Sequence, residues 1–269
     1  MNSLNKISKI LILTLILVTG IFGRGALAHT MWLNLSDYSP PVGGGVIVYF
    51  GWGHRYPVHD LLDQERFLRN LYLINPAGKI EELSPNPGGL LATRIDFDKE
   101  GTYLATAELK PGFYTMWFEE GKINHRIGPK TGLSNVMVST YYQQFAKAII
   151  NVDTGDSNFV TPIGQKIEIV PLKNPISLKE GDYLPIRILY EGNPLSSYPT
   201  IYATYLGFST QHDTYAYTTT ADREGIAEIK IIRSGVWMVK VNYKTHPTEE
   251  LKDKCDELSY TATLSFEVR

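Results

Sequence analysis

An all-β fold of two antiparallel β-sandwiches in tandem, immunoglobulin-like or transthyretin-like, is the class this chain predicts, and three observations predict it. Short apolar or alternating runs recur at intervals of roughly ten to fifteen residues, separated by Gly, Pro and Asn turns. Seventeen tyrosines, fifteen prolines and twenty-three glycines suit strands cut by turns and disfavour long helices. The chain of 269 residues is also longer than one ordinary sandwich needs, even with an apolar leader set aside.

That leader is the first element. Lys6 and Lys9 form a positive start, residues 10–22 are almost unbroken Ile, Leu, Val and Thr, and Ala26-Leu27-Ala28 is a small-residue cleavage site. The apolar run falls short of the ~20 residues that cross a bilayer and ends at Arg24 and Gly25. Residues 1–28 therefore read as a signal peptide, the protein as periplasmic or secreted, and His29 as the first residue of the mature chain.

The first sandwich is expected over residues 29–155. Strands are predicted at 31–35, 46–51, 70–74 and 91–97, with a hairpin of 101–109 and 112–119 around Lys110-Pro111-Gly112. Residues 139–150 contain Ala and Gln that permit helix, but their tyrosines and isoleucines favour one long strand. The polar stretch 153–158 then places a boundary near 155–160. A second sandwich over 160–269 carries strands predicted at 166–171, 183–190, 200–206, 215–220, 226–232, 236–243 and 260–268. Turns at 191–195 and 221–225 separate some of them.

Charge and cysteine content narrow the chemistry. With Lys6, Lys9 and Arg24 removed, acidic side chains exceed basic ones by about five, which disfavours nucleic acid as a partner. The single cysteine, Cys255, has no internal disulfide partner and reads as a small buried hydrophobe. Nucleophile elbows, phosphate-binding glycine loops and His-Glu-x-x-His are absent, so no enzymatic activity is expected. No stable self-association is expected either.

Six histidines carry what chemistry the sequence offers: His29, His54, His59, His125, His212 and His246. His29 stands apart by position, since a free amino terminus and the Nδ1 of the same residue close a chelate ring on one metal ion. His54 and His59 share the loop Gly51-Trp52-Gly53-His54-Arg55-Tyr56-Pro57-Val58-His59-Asp60, where Gly and Pro oppose regular structure. Five residues apart, they would point to opposite faces of an extended strand, so only a folded loop brings them together. His125 precedes Arg126-Ile127-Gly128-Pro129-Lys130. The candidate metal ligands are thus His29, His54, His59 and His125, with Asp60, Asp63 and Glu65 as carboxylates that would orient imidazoles. Imidazole and amine nitrogens suit nickel, cobalt, copper or zinc.

Several spaced segments carry a family resemblance. Ala28-His29-Thr30-Met31-Trp32-Leu33, the Gly51 to Pro57 motif, Gly128-Pro129-Lys130 and Phe145-Ala146-Lys147-Ala148 are four of them. The run of residues 164–175 and Tyr260 to Val268 complete the set. Together they resemble the exported domain-of-unknown-function family once labelled NikM-like, which includes NikK-type nickel and cobalt uptake accessory proteins. The resemblance implies a periplasmic β-sandwich protein that captures nickel or cobalt for a membrane metal importer of the energy-coupling type. His29 and His54 match residue by residue. Two other readings stay open: a histidine-brace copper protein or oxygenase, and a carbohydrate-binding or adhesion sandwich without metal. Mass spectrometry of the exported protein is expected to find His29 at the amino terminus, and a start one residue either side would remove the chelate.

Overall fold

The computed structural model describes residues 29–63 and 67–269, so the expected signal peptide and Glu65 lie outside the described residues. Strands dominate. In the first half they are β1 (Thr30–Leu35), β2 (Gly45–Gly53), β3 (Leu68–Ile74), β4 (Ile80–Glu82), β5 (Thr93–Asp96), β6 (Gly101–Leu109), β7 (Gly112–Glu119), β8 (Lys122–Ile127) and β9 (Val136–Val152). The second half adds β10 (Ile167–Pro171), β11 (Tyr183–Tyr190), β12 (Asn193–Pro194), β13 (Thr200–Tyr205), β14 (Tyr217–Thr220), β15 (Ile226–Lys230), β16 (Gly235–Thr245) and β17 (Glu257–Val268). Single turns of 3-10 helix lie at Asn158–Val160 and Pro175–Ser177.

Two sandwiches in tandem are present, and one sheet runs through both. Its order is β14-β13-β16-β17-β9-β6-β3-β4, with β7 also paired to β9 and β8 to β7. A three-stranded sheet, β1-β2-β5, packs against the first part of it, and a four-stranded sheet built on β10, β11, β12 and β15 packs against the second. Every pairing is antiparallel except that of β17 with β9, which are parallel from Glu257↔Thr140 to Ser265↔Ala148.

The strand β9 explains how both cores share one layer. Side chains alternate between faces along a strand, and β9 sends Phe145 and Ile149 into the core around Trp237 and Ile186. Ala146, Ala148, Ile150 and Val152 go to the other core, around Met31, Val48 and Phe50. The two small sheets therefore lie on opposite faces of β9. Burial on both faces removes the polar alternation that would mark a strand, which is why residues 139–150 are ambiguous by pattern.

The hairpin predicted around Pro111 does not form. β6 pairs with the second half of β9 (Glu108↔Phe145) and β7 with its first half (Gly112↔Tyr142), so the two run in line along the same edge. Proline has no N–H for the ladder, and the Lys110-Pro111 step interrupts the pairing without reversing the chain. β7 turns back instead into β8, an exposed strand whose residues Lys122 to Ile127 lack a buried face and gave no strand pattern.

A buried ion pair joins the shared sheet to the second small sheet. Lys147 Nζ on β9 lies 2.7 Å from Glu168 Oε1 on β10, and both side chains are 1% exposed. The Glu168 carboxylate also accepts from the backbone N–H groups of Ile163 and Gly164, at 3.0–3.2 Å. Burial lowers the Lys147 ammonium pKa and the charge of Glu168 opposes that shift. Lys147→Met leaves this carboxylate buried without its counter-ion and is expected to cost roughly 3–5 kcal/mol in urea denaturation. A loss below about 1 kcal/mol would show that the pair is not a structural tie.

Candidate metal centre

The loop after β2 is closed by contacts that the sequence explains one by one. The Trp32 indole N–H donates to the Pro57 carbonyl at 2.6 Å, and the Asn34 side-chain amide donates to the same oxygen at 3.0 Å. Gly51 is what lets this happen, because a Cβ there would lie 1.9 Å from Trp32 Nε1. Asp60 N–H donates to the Trp52 carbonyl at 2.9 Å, which ties the far end of the loop back to β2. Gly53, at φ +124°, lies under the returning His59, and a Cβ there would meet that imidazole at 2.7 Å. The His54 N–H then donates to His59 Nδ1 at 3.1 Å.

This folding removes the strand geometry that would have separated His54 from His59; their ring centroids are 6.2 Å apart. His29 completes the group. Its ring is 4.7 Å from His54 and 6.5 Å from His59, and it stacks on Trp52 at 5.3 Å. The buried Gln144 of β9 holds the backbone beneath: its amide donates to the His29 carbonyl at 2.6 Å and its oxygen accepts from Met31 N–H at 2.9 Å. Thr263 on β17 donates to the Met31 carbonyl at 2.9 Å. The expected first residue of the mature chain is thus anchored to the two strands that join the halves.

The second sandwich contributes two residues that are not among the candidate ligands expected from the sequence. His212 and Asp213 lie on the connection between β13 and β14, with the His212 ring 4.9 Å from His59 and 5.9 Å from His54. Asp213 N–H donates to the His54 carbonyl at 2.8 Å, and its carboxylate is 3.0 Å from His54 Nδ1. A proton on Nδ1 facing that carboxylate leaves Nε2 of His54 with a free lone pair, the arrangement that orients metal-binding imidazoles. Behind Asp213, Tyr215 hydrogen-bonds to it, and the Lys240 ammonium donates to the Tyr215 hydroxyl at 3.3 Å. No local motif sets His212 apart from the other histidines or marks Asp213, and a separation of 159 residues from His54 to Asp213 hides their meeting from the sequence.

His125 lies elsewhere. It is exposed on β8, with its ring against Tyr114 at 6.2 Å, and no contact joins it to the other histidines. Cys255 is buried in the second core, with its thiol 3.6 Å from the Leu251 carbonyl. Of the carboxylates, Asp60 comes within 3.9 Å of His29 Nε2 and stands largely exposed. Asp63 lies at an open surface depression beside Leu61, Leu62 and Leu91.

Burial lowers the pKa of His29, helped by the nearby His54 charge, while Asp60 and Asp213 pull the other way. Burial also lowers His59, followed by Arg55 and His212. Both effects favour neutral imidazoles, the form that donates a lone pair. Among the described residues, no three His, Cys, Asp or Glu side chains hold their donor atoms in place for a metal ion as they stand. With His59 Nδ1 engaged by His54 N–H, convergence on one ion requires the rings to turn; the backbone already places them as neighbours.

A family model described as Domain of unknown function (DUF4198) matches residues 26–245. No curated protein matches the chain. Among solved structures, the D0-D1 domain of Intimin is similar at 9% identity, covering 88% of this chain and 97% of that one, with a TM-score of 0.22. Salmonella alpha-2-macroglobulin reacted with methylamine is similar at 10% identity over 90% of this chain and 15% of that one, with a TM-score of 0.23. The Escherichia coli adhesin FdeC is similar at 12% identity over 90% and 64%, with a TM-score of 0.22.

The lowered imidazole pKa values make stability depend on pH. In the unfolded chain these groups return to about 6.5, so on acidification the unfolded state binds more protons than the folded one. Metal-free protein is expected to keep its stability above about pH 7 and to lose it as pH falls through 6.5. Urea midpoints across that range check this, and a His29→Ala/His59→Ala variant should show a flatter dependence; an equal slope in the variant would remove these residues as the cause.

Proposed function

The chain belongs to the DUF4198 family of unknown function, and from that premise we propose that it is an exported metal-binding accessory protein that captures nickel or cobalt outside the cytoplasm. The observation that carries this reading is that His29, His54 and His59 are neighbours, with ring centroids 4.7–6.5 Å apart, at the expected start of the mature chain. Three imidazoles from two separate segments, one of them oriented by Asp213, would form a nitrogen-rich donor group suited to late first-row divalent ions once the rings turn toward one another.

In this reading, His29 supplies its amino group and imidazole, His54 its Nε2, and His59 a further nitrogen once its ring has turned. His125 takes no part. The metal is cargo: capture would precede delivery to a membrane importer of the energy-coupling type, the partner that the NikM-like resemblance implies. The half-exposed position of His29 supports exchange of an ion with a partner, because a fully enclosed site would hold it. The same donors accept copper and zinc, and copper has the higher intrinsic affinity. Delivery of nickel or cobalt therefore rests on supply and on the importer as much as on the site.

Calorimetric titration of nickel, cobalt, copper and zinc into mature protein with a verified His29 terminus tests the proposal. Submicromolar binding is expected, lost in His29→Ala and strongly weakened by one extra residue before His29. Affinity should fall between about pH 7.5 and 5.5, because amine and imidazole must give up protons to coordinate. Absence of binding in the intact mature protein would reject the proposal, and copper binding with redox turnover would replace it with a histidine-brace protein.

A further inference from the structure

We propose that His212 is a metal donor supplied by the second sandwich, so that a bound ion ties the β13–β14 connection to the first sandwich. This inference rests on the metal-binding reading and deepens it. Four imidazoles form a closed circuit in which each ring neighbours the next: His29 to His54 at 4.7 Å, His54 to His212 at 5.9 Å, His212 to His59 at 4.9 Å and His59 to His29 at 6.5 Å. Without His212 the other three rings still neighbour one another, His54 to His59 at 6.2 Å, and His212 is the one imidazole of the four that the second sandwich supplies.

The connection that carries it is exposed and held mainly by its own hydrogen bonds. Residues 207–212 and 214 are almost all exposed, and their hydrogen bonds are local: Phe208 N–H to the Tyr205 carbonyl, Gln211 N–H to the Ser209 hydroxyl, and the Thr214 hydroxyl to the His212 carbonyl. The hydrogen bonds seen from this segment to the first sandwich all run from Asp213 to His54. Asp213 therefore sets the register of the segment, and its neighbour His212 is delivered over His59. An ion bound by His212 together with His29, His54 or His59 would add a second, stronger tie across the same seam. Local segments with few buried contacts are those whose exchange responds most to such a tie.

The test uses nickel chloride and the mature protein, with His212→Ala and His125→Ala compared with the unaltered chain. His212 is exposed, so its removal leaves the cores intact. Nickel affinity is expected to fall by roughly 10–100-fold in His212→Ala and to stay unchanged in His125→Ala. Hydrogen exchange over residues 207–214 should slow on nickel binding in the unaltered chain and not in His212→Ala, and X-ray absorption should count one imidazole fewer. Equal affinity in His212→Ala, with no nickel-dependent protection of 207–214, would overturn this inference and leave a site made by the first sandwich alone. Failure of the unaltered chain to bind nickel would instead overturn the metal-binding reading itself, and this inference with it.

Discussion

The fold depends on a strand whose second half has no solvent face. β9 is 17 residues long, and from Phe145 to Val152 every residue is buried, with one set of side chains in each core. Such a strand must be hydrogen-bonded on both edges, and the chain supplies β6 and β7 on one side and β17 on the other. The β17 pairing is parallel and joins residues more than a hundred positions apart, so it is a product of tertiary assembly. It turns two sandwiches into halves of one sheet. Polar residues on β9 then take on joining roles: Lys147 reaches β10 on one face, and Gln144 grips the start of β1 on the other.

The candidate metal centre is a consequence of that joining. β1 lies across the β9–β17 seam, held by Gln144 and by the Thr263 hydroxyl, and this brings His29 and the loop after β2 over the outer face of β13 and β16. That face is polar because it is not the face that lines the second core. Thr204, Tyr215 and Lys240 lie there, and Asp213 stands between this polar layer and His54. A carboxylate in this position orients one imidazole, and burial lowers the pKa of two others, His29 and His59. The candidate centre therefore combines imidazoles of the first sandwich with His212 and Asp213 of the second.

The pattern of apolar runs and turns was enough to predict an all-β chain of two sandwiches, because period-two alternation and turn residues are local signals. It failed where burial was unusual. Pro111 was read as a hairpin corner when it is a break in a straight path along β9, and the exposed β8 escaped notice for want of a buried face. Among the histidines, His29 stands out in the sequence by the expected cleavage site, and His54 and His59 by a loop rich in Gly and Pro. His125 looked equivalent on the page, yet it stands on an exposed strand outside the cluster.

By itself, then, the sequence determined the β class and the loop whose glycines let His59 fold back over Gly53. These are properties of neighbouring residues, set by periodicity and by the room a missing Cβ leaves. Tertiary structure alone decided that β9 and β17 would run side by side, and that His212 and Asp213 would meet a loop 159 residues away. No local propensity encodes such a meeting. It follows from two cores sharing one sheet, which brings together loops that the chain keeps apart.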